Sequence, residues 1–240
     1  MAVCRRFAFL LLLAAPALAC AADLGAWDPS TLYRDGISAR ELIGAPVRAQ
    51  DGRPLGEVKD ILIDRYDNID RLLVELRGGA PGIGRHVAVP WDQLKFAERL
   101  AFVQVSQGDV ERGAYSLPKE RTGAAPPAAQ REWRANELLG DYASLEDAPR
   151  YGLVSDLIFD QNGRARGVIV ERAGGEVFAY PYAGVRPGAG AYPLPYRAAD
   201  ALRLPHFDYA RLEAQSRYAG RLGGNASAGA TTDERPAPGR

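Results

Sequence analysis

From residue 47 onward the apolar positions come in short bursts broken by turn residues, the spacing of strands rather than helices. Val47–Ala49, Leu55–Asp64, Ile69–Leu76, His86–Pro90 and Leu100–Val105 are separated by Asp51-Gly52, Asp67-Asn68 and a glycine-rich stretch at 78–84. After a gap the pattern resumes at Tyr142–Leu145, Tyr151–Asp160, Ala165–Glu171, Glu176–Tyr180 and Ala191–Tyr196. Short strands with turn signals at this spacing predict a small sandwich or barrel. Asn162-Gly163 is a strong hairpin signal, because both residues tolerate the positive φ that tight turns need. Helical signals are few. Ser38-Ala39-Arg40-Glu41 reads as a capping box closed by Gly44-Ala45-Pro46, a serine oxygen and a glutamate satisfying the first amides of a short turn. Phe207, Leu212 and Tyr218 predict a short terminal helix from Phe207 to Tyr218.

The two groups of strands are copies of one another. Glu41-Leu42-Ile43-Gly44 reappears as Glu137-Leu138-Leu139-Gly140, and the shift of 96 positions holds without a gap to Glu75 and Glu171. Asp51/Asp147, Gly56/Gly152, Val58/Val154, Asp60/Asp156, Asp64/Asp160 and Val74/Val170 agree inside that window. Beyond it, Val87-Ala88-Val89-Pro90-Trp91 resembles Phe178-Ala179-Tyr180-Pro181-Tyr182, with five residues lost between. What recurs is apolar positions, glycines and turn residues, so the repeat encodes a fold. Both copies carry the same conflict of phase: strict alternation from Val58 or Val154 puts Asp60 or Asp156 on the apolar face. An extra residue in the strand, a β-bulge, predicts a shift that turns the aspartate outward and bends the strand toward barrel closure.

This gives a mostly β chain with two tandem small barrels at 37–115 and 134–205. A Pro/Ala-rich linker joins them at 116–133, and a lead-in at 23–36 precedes them. The short helix belongs to 206–220 and a Gly/Ala/Ser/Thr-rich tail, read as disordered, to 221–240. Each barrel, at roughly 70–80 residues, would bury about 60–65% of its unfolded surface and be marginal alone, so the two are expected to pack on each other or on another chain.

Composition changes the picture at the amino terminus first. Arg5-Arg6, the apolar run Phe7 to Ala15 and the small-x-small sites Ala17-Leu18-Ala19 and Ala19-Cys20-Ala21 are the layout of a secretory signal over residues 1–22. The run is about half the roughly 20 residues a membrane span needs, so the expected address is periplasmic or secreted. Cys20 stands where a bacterial lipoprotein carries its lipidated cysteine, although Ala17 replaces the usual leucine three positions before it. Lipid at Cys20 is the one expected link to a membrane. The other cysteine is Cys4, so a chain cut near residue 22 has no thiol for disulfides, metal or nucleophilic catalysis. Without Arg5 and Arg6, 28 basic groups face 30 acidic ones, which argues against nucleic acid as a partner.

The reactive residues are sparse. His86 and His206 lack a second histidine at ligand spacing. The stretch 78–84 resembles a phosphate-cradling loop but lacks the Lys-Ser/Thr that follows in one. Asp64, Asp67, Asn68 and Asp70 cluster oxygens without the spacing of a calcium loop, which points to turn chemistry. No cofactor, metal or catalytic residue is assigned. The second copy is dense in tyrosine, and Tyr180, Tyr182, Tyr192 and Tyr196 are the expected partner-binding residues, since tyrosine joins a large apolar face to a polar tip.

The string ELIGAPV…DGRPLGEVKDILID…IDRLLVEL…HVAVPWDQL, from about Ser38 to Phe96, resembles the PRC-barrel family, named for the cytoplasmic domain of the photosynthetic reaction-centre H subunit. The second copy keeps Gly140, Gly152, Val154, Asp156 and Asp160 but replaces the closing Val89–Asp92 motif with Tyr180-Pro181-Tyr182-Ala183. The resemblance implies strongly bent, roughly six-stranded barrels and a role in assembly or docking rather than catalysis. The expected function is therefore a non-catalytic, exported envelope protein that docks onto a protein partner or onto another copy. A small ligand such as a quinone or tetrapyrrole between the barrels is the alternative, and a hydrolase built from scattered acids is a third.

Overall fold

The computed structural model describes residues 24, 27–77, 85–97, 100–104, 106–116, 132–184 and 190–215. The fold is mostly β, in two sheets. The first runs through β2 (Pro46–Arg48), β3 (Pro54–Ile63), β4 (Ile69–Leu76), β5 (His86–Pro90), β6 (Leu94–Ala97) and β7 (Leu100–Val103). Their order is β5-β4-β3-β2-β7-β6. The second contains β9 (Tyr142–Leu145), β10 (Ala148–Phe159), β11 (Ala165–Glu171), β12 (Val177–Pro181) and β13 (Tyr192–Pro193), in the order β12-β11-β10-β9-β13. Apart from β6, which has no counterpart among the described residues of the second, these are the same path, including a parallel pairing of β7 with β2 and of β13 with β9. The sequence expectation omits β6, whose Leu94-Lys95-Phe96-Ala97 follows the 3-10 turn Trp91–Gln93.

Helices are short. The lead-in contains α1 (Ser30–Asp35), α2 is Ala39–Leu42, α3 is Gln107–Glu111, α4 is Ala198–Ala201, and α5 spans 209–215. The Ser38 side chain accepts from the Glu41 amide at 3.2 Å, which is the serine half of the capping signal. The signal region with Cys20, the stretch 78–84, residues 117–131 of the linker, the end of the expected helix at 216–220 and the tail lie outside the described residues.

The bulges are where the phase conflict puts them. Val58 pairs with Val74 and Asp60 with Leu73, leaving Lys59 as the extra residue; Val154 pairs with Val170 and Asp156 with Ile169, leaving Ser155. The direction of the aspartates is a correction. Asp60 is 4% exposed and Asp156 0%, so neither faces solvent. Phase within one sheet says which face a side chain takes, and both faces of these strands are covered.

What covers them is the other repeat. β1 (Ile37–Ser38) opens the first repeat, yet it pairs with β10 of the second: Ile37 opposes Phe159 and Ser38 opposes Ile158. β8 (Trp133–Arg134) opens the second repeat and pairs with β3 of the first: Trp133 opposes Ile63 and Arg134 opposes Leu62. The 96-residue shift maps each pair onto the other. The two hairpin tips also meet, through Ile69 N to Gly163 O at 2.8 Å and Ala165 N to Asp67 O at 2.9 Å. The halves are thus related by a pseudo-two-fold axis between Asn68 and Arg164, which form an isolated bridge.

One apolar core runs through both halves, with Val58, Ile61, Ile63 and Leu72 from the first and Val154, Leu157, Phe159 and Val168 from the second. A second cluster lies on the outer face of the second sheet. There Leu32 and Tyr33 of α1 and Phe207 and Leu212 at the carboxyl end cover Ile158, Ile169 and Ala179. Tyr33 stacks on Phe207 at 5.0 Å, and the Asp208 amide donates to the Tyr33 hydroxyl at 2.9 Å. Trp27 Nε1 donates to Ala179 O at 3.0 Å and Phe207 N to Val177 O at 2.7 Å, so edge strand β12 is closed off from further pairing.

Candidate functional site

Where the chain passes from one half to the other, a buried aspartate of the receiving half takes hold of it. Asp156 Oδ1 accepts from the Leu157 amide at 2.8 Å and from the Arg40 amide at 3.1 Å, while Oδ2 accepts from Ser38 Oγ at 2.5 Å. Asp60 Oδ1 does the same for its own side, accepting from Ile61 N at 2.8 Å and from Asn136 N at 3.2 Å. The bulge frees the amide after each aspartate from the ladder, and the carboxylate satisfies it together with an orphan amide of the incoming turn. Arg40 and Asn136 are equivalent positions, so one motif is used twice. Ser38 has no equivalent, because Arg134 stands in its place.

Burial pushes the Asp156 carboxyl up to about 6, against the opposing pull of the Ser38 hydroxyl, the Arg40 and Leu157 amides and the Arg40 charge. The Arg40 guanidinium itself lies 5.5 Å from the Tyr209 ring centroid. Burial raises the Tyr209 phenol to about 12. These aspartates are the residues joining the halves that the sequence reading turns outward. Their signal is present in both copies, as an acid out of phase in a bulged strand.

A second contact joins the halves at the hairpin tips. Gly163, at φ +82°, lies under Trp91, and a Cβ there would sit 2.9 Å from Trp91 Nε1. The equivalent position is Asp67, at φ +64°, whose Oδ1 accepts from Tyr182 Oη at 3.0 Å. Burial raises the Asp67 carboxyl, and the Tyr182 bond opposes that shift. At each tip a single residue has positive φ, and Asn162 does not, which corrects the two-residue turn expected there. The loop is a tight turn ending in one left-handed residue. Asp64 and Asp160 hold these loops by accepting from Tyr66 and Asn68 amides and from Asn162 and Arg164 amides. For Asp64 that is the turn chemistry expected, and Asp160 repeats it.

The tyrosines expected on a partner surface are mostly inside. Tyr180 is 0% exposed, Tyr192 2% and Tyr196 5%, and Tyr182 is half-buried on Asp67. Tyr180 donates to the Tyr151 hydroxyl at 2.9 Å and stacks on Tyr196 at 5.9 Å, and the Ala183 amide donates to the Tyr192 hydroxyl at 3.0 Å. Burial raises all three phenols above their ordinary range. Alternation in β12 points Phe178 and Tyr180 inward, and the barrel is filled with aromatic rings. His206 packs against Phe178 at 4.9 Å, and His86 is exposed at the start of β5.

The exposed apolar side chains of the second half that share a face are Tyr142 (49%) and Leu153 (43%), which oppose each other across β9 and β10. Arg150 lies over the Tyr142 ring at 5.1 Å. In the first half the same paired positions are Pro46 and Glu57. Glu57 belongs to a charged group with Lys59, Glu75 and Arg77. Among the described residues no group of three or more His, Cys, Asp or Glu is arranged to hold a metal ion, and no helix is long and apolar enough to cross a membrane.

A family model for the PRC-barrel domain matches residues 34–110. No curated protein matches the chain.

Proposed function

We propose that this chain is a non-catalytic docking protein of the cell envelope, built of two PRC-type barrels, the second divergent from the first. The observation that carries this reading is where the interior polar groups are spent. Leaving aside the tyrosines, Ser38, Asp60 and Asp156 are the polar or charged residues buried among those described, and all three tie one repeat to the other. Function then falls to the outer surfaces, and the surfaces differ: the second half presents Tyr142, Leu153 and Arg150 where the first presents interlocked charges. A paired aromatic and aliphatic side chain beside arginine is the composition of interface anchors. The agreement of the first half with the PRC-barrel domain supports a role in assembly. The basic, apolar and small-residue order of positions 5–21 supports export, with acylation of Cys20 as the membrane link.

Photo-crosslinking in intact cells tests the reading. A benzophenone side chain at position 153 is expected to give one discrete protein adduct, and the same probe at position 57 is not. Absence of any adduct at position 153 above the unirradiated control removes the docking reading, as does turnover of a substrate by the purified mature chain. Mass spectrometry of the mature amino terminus decides export and acylation separately.

A further inference from the structure

The chain changes halves at Ser38-Ala39 and again at Arg134-Ala135, and the two crossings are fastened unequally. At the second, Asp60 holds the incoming turn by one oxygen, through Asn136 N, and Asn136 Nδ2 donates to Lys59 O at 3.1 Å. At the other crossing Asp156 binds the incoming segment with both oxygens, through Arg40 N and Ser38 Oγ, in a setting with no exposed surface. We propose that the Asp156 fastening is a proton-operated lock, closed most firmly when the carboxyl is neutral and opening far more often once it is ionised.

The geometry makes the neutral form fit. With the proton on Oδ2, Oδ1 still accepts from the Arg40 and Leu157 amides, and Oδ2 donates to Ser38 Oγ in place of accepting from it. The Asp156–Ser38 bond is kept with its direction reversed, Ser38 Oγ also accepting from the Glu41 amide. The ionised form fits less well, because a carboxylate out of water needs a cation and no ion pair among the described residues reaches this one. The groups that face it are Ser38 from β1, Arg40 from α2 and Tyr209 from α5. Arg40 favours the charged form from a distance while its guanidinium rests on Tyr209. The Tyr209 phenol, raised to about 12, is neutral throughout the range in question.

The sign follows from linkage. The closed carboxyl has its pKa raised to about 6 from 3.8. An opened lock returns the group to water and its ordinary value. The closed state therefore binds the proton more tightly and is favoured at acid pH. That preference fades as pH rises from about 4 through 6 and is spent above about 7. Opening of the 38–42 segment should increase on the order of 50-fold between pH 4 and 7.5.

Backbone hydrogen exchange of the full chain tests the proposal. Protection of the Arg40 and Leu157 amides is measured from pH 4 to 7.5, corrected for the intrinsic pH dependence of exchange. The parent should lose about 50-fold in protection across that range, and Asp156→Asn should show no such loss. Ser38→Ala removes a bond that favours the ionised carboxyl, so its loss of protection should be centred at higher pH than in the parent. A structural role alone would not move that midpoint. Parallel pH profiles for the parent and Asp156→Asn overturn the lock, as does an Arg40 amide unprotected at every pH. Should Asp156→Asn fail to fold, a midpoint in Ser38→Ala that stays or falls overturns it equally.

Discussion

The two repeats share a backbone and differ in what they do with it. Both have the same strand path apart from β6, the same bulge before an aspartate and the same exchange of an opening strand with the other half. Around the position equivalent to Leu153 the first half has the charges of Glu57, Lys59, Glu75 and Arg77, and it keeps Trp91 as its closing aromatic. The second half is filled with tyrosine, carries the exposed Tyr142–Leu153 pair and receives both terminal helices on its outer face. The exchange keeps Ala39/Ala135 and the Asp60/Asp156 pair but not Ser38/Arg134 or Arg40/Asn136, and the outward Pro46–Glu57 and Tyr142–Leu153 pairs share nothing.

Substitutions at paired positions sharpen that contrast. The largest effect is expected at the glycines where β4 and β11 run close. A Cβ on Gly56 would lie 1.9 Å from Glu75 O, against 2.6 Å from Glu171 O for Gly152. Backbone atoms on both sides cannot give way, so Gly56→Ala should cost about 4 kcal/mol in urea denaturation. Gly152→Ala should cost less.

Next come the two clasps. Asp156→Ala strands the Arg40 and Leu157 amides and the Ser38 hydroxyl, which should cost about 3 kcal/mol. Asp60→Ala strands two amides at a site without a hydroxyl, and about 2 kcal/mol is expected. Equal losses would mean that Ser38 adds nothing to the second half's hold on the first.

A smaller effect has the opposite sign. Because burial raises the Asp156 carboxyl to about 6, the folded chain carries a desolvated charge at pH 7.5 that Asp156→Asn lacks. The variant should be more stable than the parent there, by on the order of 1–2 kcal/mol, with the gap closing toward pH 4. The smallest effect is at the surface. Leu153→Glu copies Glu57 into the second half and should move stability by no more than about 0.5 kcal/mol, while removing the crosslinked adduct.

Much of this architecture is legible in the residues, and what is not has one cause. The 96-residue shift, the strand spacing and the conflict at Asp60 and Asp156 are local patterns, and they locate the strands and the bulges. The exchange of opening strands is a choice between two equivalent partners. A repeat offers the same hydrophobic register to its own strand and to its neighbour's, so Ile37 opposite Ile63 and Ile37 opposite Phe159 look alike in sequence. The outward turn of the aspartates, and a surface for Tyr180, Tyr192 and Tyr196, both follow from counting one layer of cover where the structure has two. Tyr142 and Leu153 are missed for the converse reason, since an apolar pair in a strand reads as core until its other face is seen to lack a neighbour.

The stacking of Tyr33 on Phe207 has a mechanical consequence. Both ends of the described chain are anchored on the same sheet, so tension applied between them enters and leaves through the second repeat. The first repeat hangs outside the load path. A tether at the amino terminus would strain the tyrosine-filled half and leave its sibling slack.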